Sequence, residues 1–91
     1  MITQHGDRVQ VSGALTMASV AALHGALPKT AGALVVDFSA VDAVDSAGVG
    51  LLLAWLRQAQ QQGTVLRYEN MPANLLSLAR LYDVADLLPH P

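Results

Sequence analysis

Hydrophobic positions follow two periods along this chain, and their order lays out the elements. From Arg8 to Ser12 polar and apolar residues alternate, with Val9 and Val11 on one side, which is the two-residue period of a half-buried strand. Ile2 to Gln4 can pair with it through a turn at Gly6-Asp7. Thr16 then offers an N-cap, and Val20, Leu23 and Leu27 follow at helical spacing until Pro28 ends the helix. Leu34-Val35-Val36 is a short apolar run closing on Asp37, the pattern of a strand covered on both faces. A strand-to-helix loop is expected from there to Asp45.

The second helix is the best-defined element. Ser46 is a good N-cap, Val49, Leu52, Leu53 and Leu56 form a stripe at i, i+3, i+4, i+7, and Gly63 sits where a terminating glycine belongs. Its outer face is then Arg57, Gln58, Gln61 and Gln62. Val65 to Glu69 alternates again, turning Leu66 and Tyr68 inward. Pro72 suits the first turn of a last helix with the stripe Leu75, Leu78, Ala79 and Tyr82, and the apolar tail Val84, Leu87, Leu88 docks until Pro89 and Pro91. Strands separated by helices imply right-handed crossovers and parallel pairing. The fold class is therefore α/β, a mixed sheet of four to five strands with three main helices, in a single domain over residues 1–91.

Composition narrows the function. Apolar residues are 53% and charged residues 13%, against about 25% charge in an ordinary soluble domain, so disorder is excluded. With 5 Lys+Arg against 7 Asp+Glu and 4% aromatics, neither a basic footprint nor a stacking platform for nucleic acid is present. Cysteine is absent, which removes disulfides and thiol catalysis. Residues Met1 to Asp7 lack the features of a signal peptide, and the longest apolar stretch, Ala47 to Leu56, is about half a membrane span. A cytoplasmic protein without direct membrane insertion is expected. A mean hydropathy of +0.39 in so small a chain leaves apolar side chains on the surface, where a protein partner would use them.

Catalytic constellations fail one by one. Gly48-Val49-Gly50 runs into Leu51-Leu52 without the lysine a phosphate-binding loop needs, and no Gly-x-Ser-x-Gly elbow occurs. His5, His24 and His90 have no ligand-spaced partners and read as solvated or edge positions. No catalytic residue, cofactor or metal is expected. One segment still concentrates chemistry: Asp37, Asp42 and Asp45, three of the seven acids, fall within nine positions of one strand-to-helix connection. They could gather a divalent cation, although no Lys or Arg accompanies them to hold a phosphate. More simply, Asp37 and Asp42 order the loop while Asp45 and Ser46 cap the helix. The third reading is a switch: a phosphate on Ser46 would suit the positive end of the helix yet add charge beside Asp42 and Asp45, repelling a docked partner.

An apolar strand ending in Asp37, a short Val41/Val44 connection and Asp45-Ser46-Ala47-Gly48 leading into an apolar helix resemble the signature of STAS domains, the fold of bacterial anti-sigma factor antagonists. In the antagonists the serine of this motif is phosphorylated by a partner kinase, and by position that residue is Ser46. The C-terminal run Leu78-Ala79-Arg80-Leu81-Tyr82-Asp83-Val84-Ala85-Asp86-Leu87-Leu88-Pro89 is similar to the MlaB group, the STAS subunits of bacterial Mla phospholipid-transport ABC complexes. That resemblance implies binding to the cytoplasmic ATPase subunit, and through it to the permease, without chemistry of its own. MlaB-like chains often carry threonine at the position of Ser46, and Ala47 replaces a second Ser/Thr of the antagonists, so an interface role for Ser46 carries over more directly than phosphorylation.

The expected partner surface comprises Asp42, Asp45, Ser46, Ala47, Gly48, Gly50, Leu51 and Trp55. Gly48 and Gly50 would admit another backbone, and with the stripe above facing inward, Leu51 and Trp55 fall on the helix flank. Trp55 there either packs under a neighbouring element or stands exposed as an anchor. The expected function is a non-catalytic regulatory subunit of a lipid-transport ABC complex. The alternative is an anti-sigma factor antagonist switched by a serine kinase at Ser46.

Overall fold

The computed structural model describes residues 2–30 and 32–89; His90 and Pro91, named above, lie outside them. The order is β1 (Ile2–His5), β2 (Arg8–Leu15), α1 (Val20–Leu23), β3 (Gly32–Val44), α2 (Ser46–Gln62), β4 (Thr64–Glu69), α3 (Ala73–Leu81) and a 3₁₀ turn (Ala85–Leu87). The sheet runs β1-β2-β3-β4, antiparallel between β1 and β2 and parallel across the other two pairs. This is the mixed four-stranded sheet with three helices that the periodicity predicts.

The alternating residues sort onto two faces. Val9, Val11 and Leu15 of β2, Leu34, Val36 and Phe38 of β3, and Leu66 and Tyr68 of β4 are buried beneath the helices. Phe38 and Tyr68 meet edge to face, with ring centroids 5.3 Å apart, and the Tyr68 hydroxyl donates to the Leu52 carbonyl of α2 at 2.7 Å. Burial pushes that phenol's pKa far above its ordinary value. The opposite face of the sheet stays open: Arg8, Gln10, Val65 and Arg67 are exposed and Val35 is half-buried. Leu34-Val35-Val36 is thus covered on one face only, a correction to the reading of the apolar run. Alternation is preserved in burial even where it is lost in residue type.

Two further corrections concern length. β3 does not stop at Asp37 but continues to Val44, because β2 itself runs to Leu15 and supplies parallel partners as far as Leu15↔Val44. The register shifts twice, and the second shift, between Gly13↔Val41 and Ala14↔Ala43, leaves Asp42 without a counterpart in β2, as a bulge does. In the first helix, Thr16 opens a turn rather than capping a helix. The helical residues begin at Val20, after Ser19, whose hydroxyl donates to Ala14 O at 2.7 Å and accepts from Thr16 N at 2.9 Å. Val20 and Leu23 are buried as their spacing requires, but the helix ends at Leu23, well short of Pro28, and Leu27 is buried from the connection to β3 rather than from a helical turn.

The chain's end also differs from its stripe. Leu75 and Ala79 are buried, but α3 ends at Leu81 and Tyr82 is 52% exposed. The tail docks through Leu88, and Pro89 O accepts from Tyr68 N at 2.8 Å along the outer edge of β4, while Leu87 turns outward. A covered edge is protected against unwanted strand pairing.

Candidate functional site

The site is the corner where β3 passes into α2. Asp45, extended at φ −139° and ψ −170°, is the N-cap, and its Oδ1 accepts from Ala47 N at 2.8 Å. Ser46 is therefore the first helical residue, not the cap. An aspartate accepts more strongly than a serine hydroxyl and adds charge complementary to the helix end, so Asp45 takes the role and leaves the exposed Ser46 outside it. The other oxygen, Oδ2, accepts from Met17 N at 3.0 Å, and Asp45 N donates to Leu15 O at 3.1 Å. One residue thus fastens the start of α2 to the loop that follows β2.

Behind the corner, α2 is seated differently from its predicted stripe. Gly48, Val49, Leu51, Leu52, Trp55 and Ala59 are its buried residues; Leu53 and Leu56 are only half-buried. At about 100° per residue this face lies roughly a quarter turn from the one centred on Val49, Leu52, Leu53 and Leu56. Gly48 lies on that face: a Cβ placed there would stand 3.0 Å from Leu15 O and 3.2 Å from Leu15 Cβ, so glycine lets α2 settle closely onto the end of β2 without displacing Leu15. Gly48 admits a backbone, but it is the chain's own. Leu51 and Trp55 are 0% exposed, which overturns their placement on an open flank. Trp55 packs under α1, its Nε1 donating to Leu23 O at 3.0 Å.

On the opposite side of α2, Ser46 and Gly50 stand one turn apart, both exposed. A Cβ at Gly50 would meet nothing of the described residues within 4 Å. Asp42 and Ala43 are also exposed, and Met17 on the adjoining loop is 78% exposed. The corner therefore brings together Asp42, Asp45, Ser46, Ala47 and Gly50, with Gly48 turned inward against Leu15, whereas Leu51 and Trp55 are buried further along α2 and take no part in it. Met17 was not legible in the sequence, because three residues before Val20 it occupies a position that a longer first helix would bury.

The three aspartates do not converge on a cation; among the described residues no group of three or more acids, histidines and cysteines is placed to hold one. Asp45 is committed to backbone amides. Asp37 lies on the open sheet face, accepting from Ser39 N at 2.9 Å, Ser39 Oγ at 3.1 Å and Asn70 Nδ2 at 3.0 Å. Partial burial pushes its pKa up, but the bonds from Asn70 and Ser39 and the charge of Arg8 outweigh that and hold it below the usual value. Asp37 thus fastens the turn after β4. Arg8 bonds to Glu69 across β3 at 3.0 Å.

This architecture is that of a STAS domain. Solved structures share it: a sulfate transporter family protein from Wolinella succinogenes (TM-score 0.71, 16% identity, covering 92% of this chain and 74% of that one) and the anti-sigma factor antagonist SpoIIAA in its unphosphorylated form (TM-score 0.70, 14% identity, covering 100% and 86%). A structure described as Mglu matches with a TM-score of 0.57 and 22% identity over 80% of this chain and 20% of its own length. At these identities the likeness concerns the fold. Sequence supplies the family: residues 1–89 match the MlaB STAS domain family, and the chain belongs to it. No curated protein matches it in sequence.

Proposed function

We propose that this chain is a non-catalytic regulatory and assembly subunit of a phospholipid-transport ABC complex that maintains lipid asymmetry of the outer membrane. It works on the cytoplasmic side and docks on the ATPase subunit through the corner at the start of α2. Membership of the MlaB STAS family supports the reading. The observation that carries it is Gly50. A glycine inside a helix costs about 0.5–1 kcal/mol relative to alanine, and at Gly50 neither a positive φ nor a neighbouring atom of the described residues requires it. Close approach by another molecule beside Ser46 accounts for it. No helix of the described residues is long and apolar enough to cross a membrane, so attachment through a partner is the consistent arrangement.

Co-purification with the ATPase subunit tests the reading. Wild type is expected to bind, while Ser46→Glu and Gly50→Gln fold normally and lose the complex. Equal binding by all three forms would remove the corner from the interface.

A second reading, an anti-sigma factor antagonist, draws on the exposure of Ser46 and its release from capping by Asp45. It predicts one phosphate at Ser46 after incubation with an anti-sigma-type serine kinase. An unmodified Ser46 by mass spectrometry, in cells and after such incubation, counts against it.

A further inference from the structure

The burial of Trp55 leaves the proposed interface without the large apolar contact that protein interfaces usually centre on. Five large hydrophobic side chains are exposed among the described residues: Met17, Val65, Leu81, Tyr82 and Leu87. Val65 lies on the open sheet face, and Leu81, Tyr82 and Leu87 belong to the C-terminal end of the chain. Met17 is the one tied to the corner. It is the most exposed of the five at 78%, and its backbone is held through its own amide and through the turn that starts at Thr16. Its amide donates to Asp45 Oδ2 at 3.0 Å, and the preceding residue, Thr16, donates from N to Ser19 Oγ at 2.9 Å and accepts at O from Ser19 N and Val20 N, both at 2.9 Å. An exposed methionine on a fixed backbone presents about the full area of a flexible apolar side chain with little main-chain ordering left to be lost on binding.

The two segments that meet at the corner carry charge of one sign. Between Val9 and Pro28 there is no Asp, Glu, Lys or Arg, and between Phe38 and Leu56 the only such residues are Asp42 and Asp45. A complementary partner surface offers an apolar socket with basic side chains at its rim.

We infer that Met17 is the apolar anchor of the partner surface, entering such a socket on the ATPase subunit, and that Asp45 is the positioning residue that holds it beside Ser46. This rests on the docking proposed above and extends it from α2 to the loop after β2.

The test is calorimetric titration of the full chain with the purified ATPase subunit, comparing wild type, Met17→Leu, Met17→Asp and Ser46→Glu at two salt concentrations. Met17→Asp is expected to weaken binding by about tenfold or more. Met17→Leu should keep most of the affinity, and the melting temperatures of both should stay at the wild-type value because the side chain touches little of its own fold. Weaker binding at higher salt would support the basic rim; salt-independent binding would overturn it. Met17→Asp binding as wild type does, while Ser46→Glu fails, overturns the anchor and leaves the docking corner standing. If wild type itself does not bind the ATPase subunit, both fall.

Discussion

Gly48 and Gly50 stand two residues apart on α2 and answer to opposite demands. At Gly48 a side chain would crowd Leu15 of β2, and the close approach of the helix there uses its absence. At Gly50 a side chain would enter open space, and nothing among the described residues asks for glycine. The same contrast runs along the helix. One face, Gly48, Leu52, Trp55 and Ala59, is consumed by the fold; the other, Ser46 and Gly50, is left to the surroundings. A small residue in a motif therefore has two possible causes, internal packing or external contact, and only the distance to its neighbours separates them.

The largest effect should come from the buried face. Trp55→Ala removes the largest fully buried side chain and the bond to Leu23 O, so urea unfolding is expected to show a loss of about 3–5 kcal/mol. A loss under about 1 kcal/mol, the size of an ordinary surface effect, would mean that α1 is not packed on α2 as described. The two glycines give the next comparison. Gly48→Ala should destabilise by about 1–3 kcal/mol through overpacking against Leu15, whereas Gly50→Ala should stabilise by about 0.5–1 kcal/mol. Changes of the same sign at both positions would erase the distinction drawn between them. Smallest is the effect of Ser46→Glu on stability, within about 0.5 kcal/mol of wild type, because an acid in the first turn suits the helix end. A large fall in its thermal midpoint would show that Ser46 belongs to the fold rather than to the contact surface.

The sequence pattern was most reliable where burial and period coincide. Val9/Val11, Val20/Leu23, Leu66/Tyr68 and Leu75/Ala79 all face the core as their spacing requires. It misled where apolar residues are continuous. In Val49 to Leu56 nearly every position is hydrophobic, so several faces of α2 satisfy a helical stripe equally well, and the choice fell to packing against elements distant in sequence. Gln58 and Gln62 illustrate the same limit from the polar side. They look solvent-facing, yet Gln58 Nε2 donates to Leu27 O at 3.2 Å, and Gln62 Nε2 donates to Pro28 O at 3.0 Å and Thr64 Oγ1 at 2.9 Å. Thr64 in turn donates to Thr30 O. These bonds clamp the connection between α1 and β3, and side-chain amides that span more than thirty residues leave no mark in a local pattern.

The candidate corner was legible in part for a similar reason. Asp45-Ser46-Ala47-Gly48 at a strand-to-helix passage is a local arrangement, and capping chemistry acts within a few residues. Which of Asp45 and Ser46 caps, and that the same carboxylate reaches the loop after β2, depends on β2 and β3 lying side by side in register. Met17 enters the corner only through that pairing.

By itself, the sequence determined the order of elements, the α/β class, the inward residues of each alternating strand and the STAS-like motif, because hydrophobic period and capping are properties of neighbouring residues. Only the tertiary structure decided which face of α2 is buried, that β3 continues to Val44, and that Met17 rather than Trp55 stands exposed beside Ser46. Those outcomes depend on contacts between residues far apart in the chain, such as the close approach of Gly48 to Leu15 and the bond from Trp55 to Leu23.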